Sequence, residues 1–409
     1  MSEQEQGSGT DWGIAEALER SVSYVFETAA NVVAGEAESL RDGTELAPVS
    51  LPRDLYAHRS AQTEWWYYTG HIETDSGRKF GFEWVFFKRR TDLDRFGYVP
   101  LRLLGNPIYF AHFALTDQDS KEFRYAHRKS SNGWFDLPAA ASEDHYYLRL
   151  GDWCARESHG AHVLRATANG NIDFEASLVG AKPPVLNGSS GDGVSFKDEG
   201  EASRYFSLTR MSIEGDLTTD GNTEHFEGSG WMDREFGTWM ATEKQKGWDW
   251  FSIQLDDATE LMCYQLRDGA GKVSEYSTGT FVDKAGTCDH LPSVDFEISP
   301  TGYWKSPHSG ATYPSGWKIT VPKLDLELIV TPVMSDQELD TRGTTMIVYW
   351  EGACEVSGSR AGVKCGGRAY VELVGYDRSH DDPNLSHFLM GSEFDHPPRG
   401  FFGQSKFGF

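Results

Sequence analysis

Residues Phe80-Gly81-Phe82-Glu83-Trp84-Val85-Phe86-Phe87 decide the fold. Phe80, Phe82, Trp84 and Phe86 fall on one face of an extended chain, and Gly81, Glu83, Val85 and Phe87 on the other. A helix returns its apolar residues every three or four positions, so a two-residue period marks a strand. The period recurs where Phe251, Ile253 and Leu255 alternate with Ser252, Gln254 and Asp256. It recurs again where Met346, Val348 and Trp350 alternate with Ile347, Tyr349 and Glu351. The turn clusters Asp75-Ser76-Gly77, Asp257-Ala258-Thr259 and Asp268-Gly269 sit between runs at hairpin spacing. Few helical patterns intervene. The fold class is therefore all-β, with antiparallel sheets sandwiched or closed into barrels.

Composition agrees. Aromatic residues make up 13% of the 409 residues and Gly is high at 43, as β-rich chains show. The length suits two or three domains. With 38 Lys+Arg against 62 Asp+Glu the net charge is −24, which argues against a nucleic-acid partner or an anionic membrane surface. Cys154, Cys263, Cys288, Cys354 and Cys365 are odd in number and lack a Cys-x-x-Cys pair, which fits free thiols in a reducing compartment. Residues 1–9 are polar and acidic, without the basic and apolar regions of a secretory signal, so a cytoplasmic location is expected.

One helical pattern is present. Ile14, Leu18, Val22, Val25, Phe26, Ala29, Val32 and Val33 recur at three- and four-residue steps between about 11 and 40, predicting an N-terminal amphipathic helix. It packs on the body of the protein or a second subunit, which leaves a homo-oligomer open. Its acidic polar face gives peripheral membrane association, the rival reading, little electrostatic help.

The two halves echo each other. Trp65-Trp66-Tyr67-Tyr68 with its hairpin opens the first, and Trp248-Asp249-Trp250-Phe251 with its hairpin opens the second. Each half closes on an aromatic strand ending in Asp-Arg, at Trp231-Met232-Asp233-Arg234 and at Gly375-Tyr376-Asp377-Arg378. This suggests duplication of one β-domain. The organisation expected is a helical extension at 1–46, β-domains at 47–240 and 241–378, and a tail at 379–409. The stretch 183–201 reads as a long flexible loop, and its glycines match no phosphate-binding motif.

Standard catalytic motifs are missing. There is no Gly-x-Ser-x-Gly elbow, and His159-Gly-Ala-His162 lacks the Glu of a zinc protease. His58, His71, His112, His127 and His308 are scattered singly. No metal or cofactor is expected. What remains is carboxylates among aromatics: Glu64, Glu83, Asp233, Glu235, Asp249 and Glu351. A carboxyl in an apolar pocket loses hydration, stays protonated to higher pH, and can act as a general acid. Aromatic faces nearby favour a developing cation. Together these suit protonation of an unactivated alkene. For each residue singly, a solvent-facing strand carboxylate beside a Trp is the plainer reading; the cluster around Asp233 weighs against it.

Several stretches resemble a known family. These are Glu64-Trp65-Trp66-Tyr67-Tyr68-Thr69-Gly70-His71, His112-Phe113-Ala114-Leu115-Thr116-Asp117, Gly230-Trp231-Met232-Asp233-Arg234-Glu235-Phe236-Gly237 and Gly247-Trp248-Asp249-Trp250-Phe251-Ser252-Ile253-Gln254-Leu255. The stretch Ser306 to Trp317 and Tyr349-Trp350-Glu351-Gly352-Ala353 extend the likeness. They are similar to the lipocalin-like, AttH-type family that includes carotenoid 1,2-hydratase (hydroxyneurosporene synthase). The resemblance implies two tandem lipocalin-like antiparallel β-barrel domains and a hydrophobic small-molecule substrate. For the hydratases it implies a cofactor-independent hydro-lyase that adds water to a terminal C=C bond. An aspartate after an aromatic residue is the implied proton donor, here Asp233 with Trp231, although the hydratases commonly carry Tyr at that aromatic. Related fungal proteins close rings pericyclically, so the family does not fix the reaction.

The first reading is thus a carotenoid 1,2-hydratase-like enzyme for an isoprenoid or carotenoid-like substrate. Asp233 protonates the alkene, Trp231 lines the cation, and Glu235 or Glu64 takes the proton of the attacking water. Substrate contacts are assigned to Trp65, Trp66, Tyr68, Glu83, His112, Tyr205, Trp248, Trp250, Gln254 and Tyr264. The alternatives are a lipocalin-type binding protein without acid–base chemistry and a cyclase that acts by shaping its substrate. An ion pair from Asp233 to Arg210 or Arg234 would favour binding alone.

Overall fold

The computed structural model describes residues 47–92, 95–96, 99–103, 105–132, 136–188, 190–198, 201–237, 246–377 and 392–399. The helix expected at 11–40 lies outside these residues. The described chain forms antiparallel strands and single-turn 3-10 segments. A 14-stranded sheet carries the first half, from Thr63–Thr74 to Asn222–Gly237, and a 10-stranded sheet the second, from Gly247–Leu255 to Val363–Val374. In the tail, Glu393–Arg399 returns to the first sheet and pairs with Glu122–Ser130.

Both sheets curl strongly into half-barrels, and among the described residues neither hydrogen-bonded path closes on itself. Their edges show why. The first sheet ends on the three-residue strand Ala139–Ala141 and on Glu393–Arg399, whose Pro397-Pro398 lack the N–H a further strand would need. The edges of the second, Cys288–Pro292 and Glu297–Pro300, each finish in a proline. The stretch read as a flexible loop at 183–201 instead contributes two short strands. Val185 pairs with Ser207 and Val194 with Arg204, so backbone pairing holds both of these short strands to the sheet.

The echo survives as topology. The order Ile108–Asp117, Lys79–Arg89, Thr63–Thr74, Asn222–Gly237, Glu201–Thr219 in the first sheet matches Thr278–Val282, Glu260–Arg267, Gly247–Leu255, Val363–Val374, Val348–Arg360 in the second. Each opening strand lies between its hairpin partner and the last long strand of its half. The register moves one detail of the echo. Tyr67 pairs with Asp233, and its counterpart Trp250 pairs with Glu372, so Glu372 and not Asp377 answers Asp233.

Alternation sorts the aromatics. Trp66, Tyr68, Phe82, Trp84 and Phe86 point into the core of the first sheet, and Phe251, Ile253, Trp317 and Trp350 into that of the second. The opposite faces, with Tyr67, Val85, Trp231, Trp250 and Tyr264, pack between the sheets. Strands buried on both sides explain why residues 80–87 carry so few polar positions. The sheets approach closely: a Cβ on Gly81 would lie 2.4 Å from the Ala353 Cβ of the other sheet. Glycine is needed there for space.

Candidate active site

Where the sheets meet, counterpart residues enclose a cavity of about 160 Å³. The first half supplies Trp65, Tyr67, Val85, Phe87 and Asp233, and the second Trp248, Trp250, Tyr264, Leu266 and Glu372. The ladders make these matched sets. Trp65 pairs with Phe87 as Trp248 pairs with Leu266, and Tyr67 with Val85 as Trp250 with Tyr264. Thr63 and Lys197 complete the wall. A cavity of this order admits a hydrocarbon group about the size of benzene. Lys197 and Leu266 also line a wider polar recess of about 740 Å³, formed largely by the 267–276 turn region.

Asp233 is 3% exposed. Its Oδ1 accepts from Trp231 Nε1 at 2.7 Å and from the Ser207 hydroxyl, and its Oδ2 accepts from the Tyr205 hydroxyl. Trp250 Nε1 in turn donates to the Tyr205 oxygen at 3.0 Å. Burial raises the carboxyl, the three donors pull it back, and Glu235 adds repulsion; the outcome is a pKa pushed up to about 7. Glu372 meets the cavity with a single named donor, Trp248 Nε1 at 3.1 Å. Burial, eased by that bond and reinforced by Asp233 and Glu235, takes it to about 7 as well.

The structure brings Asp233, Trp65, Trp248, Trp250 and Tyr264 to one cavity. It places the remaining candidates elsewhere. Glu64 lies in a buried ion-pair cluster, 2.6 Å from Arg234 and 2.7 Å from Lys88. Burial alone would raise it, but the two cations outweigh that and hold it well below the usual carboxylate range, so it cannot exchange a proton near neutrality. Glu235 is paired with Lys197 at 2.7 Å and accepts from Ser203. Trp231 and Tyr205 act on the site through Asp233 rather than through the cavity wall. Trp66 and Tyr68 take the other pleat face, into the first core. Gln254 is spent on the seam, donating to the carbonyls of Thr209 and Gly230 at 2.8 and 2.9 Å. Glu83 and His112 lie deeper between the sheets, where Tyr349 bonds both, at 3.2 and 2.8 Å.

Lys197 and Glu372 were missed. Lys197 sits in the stretch read as a loop, and Glu372 in Tyr370-Val371-Glu372, which repeats the aromatic-x-carboxylate spacing of Trp231-Met232-Asp233. The signal for Glu372 was the echo itself, had it been aligned through the ladder. Among the described residues no three His, Cys, Asp or Glu side chains converge as a metal would require.

The AttH-like family model matches residues 42–376, most of the chain. The chain belongs to the AttH-like family. The crystal structure of a provisionally named AttH of Nitrosomonas europaea is similar to this AttH-like chain at 29% identity and a TM-score of 0.71, covering 81% of this chain and 98% of that one. Kievitone hydratase from Nectria haematococca shares the fold at 16% identity and a TM-score of 0.64, over 82% and 95% of the two chains. No curated protein matches the AttH-like chain in sequence.

Proposed function

We propose that the protein is a hydro-lyase that adds water across a C=C bond at the end of an apolar, isoprenoid-like molecule. One observation carries this reading: Asp233, with a carboxyl pushed up to about 7, faces a Trp-lined cavity that a second such carboxyl, Glu372, also faces. A general acid and a general base each work best with a pKa near the working pH. The Asp233 proton adds to the less substituted alkene carbon, the π pair forming the new C–H bond. The rings of Trp65, Trp248 and Trp250 face the cation left on the neighbouring carbon. Water attacks that carbon, and Glu372 takes the proton released. We therefore assign the base to Glu372 in place of Glu235 and Glu64, both of which are tied to cations.

The three donors fix the direction of the Asp233 carboxyl, which suits delivery to one carbon. Arg210 pairs with Glu260 and Arg234 with Glu64, so the ion pair that would mark a pure binding protein is not formed with Asp233. The fold shared with a hydratase supports the reading. The cavity admits a branched alkene end; a full carotenoid would extend into the outer recess. The test is incubation with terminal-alkene isoprenoids in ¹⁸O-labelled water. Label is expected in a tertiary alcohol with the native protein and not with Asp233→Asn. Undiminished labelling in that variant would overturn the assignment.

A further inference from the structure

Lys197 stands where the cavity meets the outer recess and lines both. It lies on the short strand Val194–Asp198, which pairs with Glu201–Thr219, and it is buried. An ammonium has three N–H donors, and a buried donor left without an acceptor costs free energy. Lys197 Nζ gives one to Glu235 Oε1 at 2.7 Å and one to Ser195 Oγ at 3.0 Å. Ser195 Oγ in turn lies 2.7 Å from the hydroxyl of Tyr264, a cavity residue whose ring centre is 4.9 Å from the ammonium.

Here donors outnumber acceptors. Lys197, Ser195 and Tyr264 together carry five polar side-chain hydrogens. Among the described residues their bonds use three: two from the ammonium and one between the hydroxyls. One ammonium N–H and one hydroxyl hydrogen are left over. With Ser195 donating to Tyr264, the spare hydroxyl is that of Tyr264, on the cavity wall. The nearby carboxyls take neither. Asp233 accepts from Trp231, Ser207 and Tyr205, and Glu372 from Trp248. Burial works against the Lys197 charge, but Glu235, with Tyr264 and Asp233, outweighs it, so the ammonium stays protonated and all three N–H groups remain.

We infer that Lys197 and Tyr264 form a binding site for an acceptor oxygen of the substrate, a carboxylate or carbonyl, where the molecule passes from the cavity into the recess. The inference rests on the hydratase reading and narrows its substrate class to oxygenated prenyl compounds, as against hydrocarbon polyenes. Water satisfies the two spare donors when no ligand is bound. A hydrocarbon that displaced it would leave both donors unpaired, whereas an oxygen replaces what the water gave. Charge points the same way. An ammonium on the wall opposes a cation forming in the cavity, and a substrate carboxylate held against that ammonium offsets it.

The test reads binding, not turnover. Quenching of tryptophan fluorescence gives affinities of the full chain for two prenyl carboxylates, pyroterebic and citronellic acid, and for the hydrocarbon of matching skeleton in each case. The variant carries Lys197→Met with Glu235→Gln, which removes the ion pair without stranding a charge. The tighter-bound carboxylate should lose on the order of tenfold in affinity relative to its hydrocarbon, as loss of a charged hydrogen bond gives. Retained hydrocarbon binding reports an intact fold. Equal changes for carboxylate and hydrocarbon, or a native protein that binds neither carboxylate, overturn the site. If the variant does not fold, a crystal structure of the native protein with the tighter-bound carboxylate decides: oxygen on Lys197 Nζ supports the site, oxygen elsewhere overturns it. Selective loss of carboxylate binding, with no ¹⁸O label from the native protein, would keep this site and sink the hydratase reading. Label incorporated by the native protein, with carboxylate affinity indifferent to Lys197, would do the reverse.

Discussion

Asp233 and Glu372 occupy the same place in the two halves, each paired across the ladder with the second aromatic of its opening strand. Their surroundings differ. Asp233 is held by three donors from two strands, whereas the half-buried Glu372 accepts from Trp248 and sits opposite the buried Glu351. The two halves place a carboxyl on each side of one cavity, and their surroundings hold Asp233 in one direction while leaving Glu372 with less restraint. Under the proposed hydration, the firmly held carboxyl suits the acid and the less restrained one the base.

The sharpest way to break this comparison is to neutralise each carboxyl in turn. Asp233→Asn is expected to lower the hydration rate by about 10³-fold and Glu372→Gln by about 10²-fold, within the range for a lost general acid or base. The Asn amide oxygen can keep the fixed Trp231 donor while the Tyr205 hydroxyl turns to accept, so the fold should survive. Rates of ¹⁸O incorporation decide it. Equal losses would mean that the carboxyls are interchangeable and the surroundings immaterial.

Glu64 is the contrasting case, a carboxylate beside Trp65-Trp66 whose work is structural. Removing one partner of a buried ion pair strands the other charges, at about 3–5 kcal/mol. Glu64→Gln should lower the unfolding free energy by that order in urea titrations. The lowered carboxyl contributes stability that is present above its unfolded pKa and lost as pH falls through the folded value. The two cavity carboxyls behave oppositely. Raised to about 7, each contributes stability fully present below its unfolded pKa and lost as pH rises toward 7. Glu372→Gln should therefore flatten the decline in stability between about pH 4.5 and 7, by on the order of 3 kcal/mol, as read from denaturation midpoints at fixed pH.

The period-two runs made the sheets legible, and Trp231-Met232-Asp233 made one catalytic candidate legible, because both are local patterns. Lys197 was hidden in a short strand that reads as a loop, whereas Glu372 and Tyr67 were not legible for a common reason. A strand buried on both faces shows two apolar sides, and nothing in the sequence says which faces the core and which the other sheet. Trp66 and Trp65 are adjacent and chemically alike, yet the pleat sends one into the first core and the other to the cavity. Likewise Glu64 and Asp233 share an aromatic context, and Arg234 and Lys88, brought together only by pairing, set them apart. Closure into barrels failed where prolines occupy edge strands, a signal present in the sequence but meaningful only once the edges are known.

The smallest expected difference separates the two tryptophans that answer each other, Trp65 and Trp248. Each presents a ring to the cavity, and replacing either by Phe keeps a smaller face, so a few-fold loss of rate is expected from either change. Trp248 additionally donates its indole N–H to Glu372. That bond favours the ionised carboxylate, so Trp248→Phe should raise the Glu372 pKa further. Glu372 must be ionised to take the proton from water. The limb of the pH–rate profile that rises through about 7 should consequently move to higher pH in Trp248→Phe and stay in place in Trp65→Phe. A limb that moves equally in both variants would mean that the second half of the cavity does not hold the base, and the comparison between Asp233 and Glu372 would fail with it.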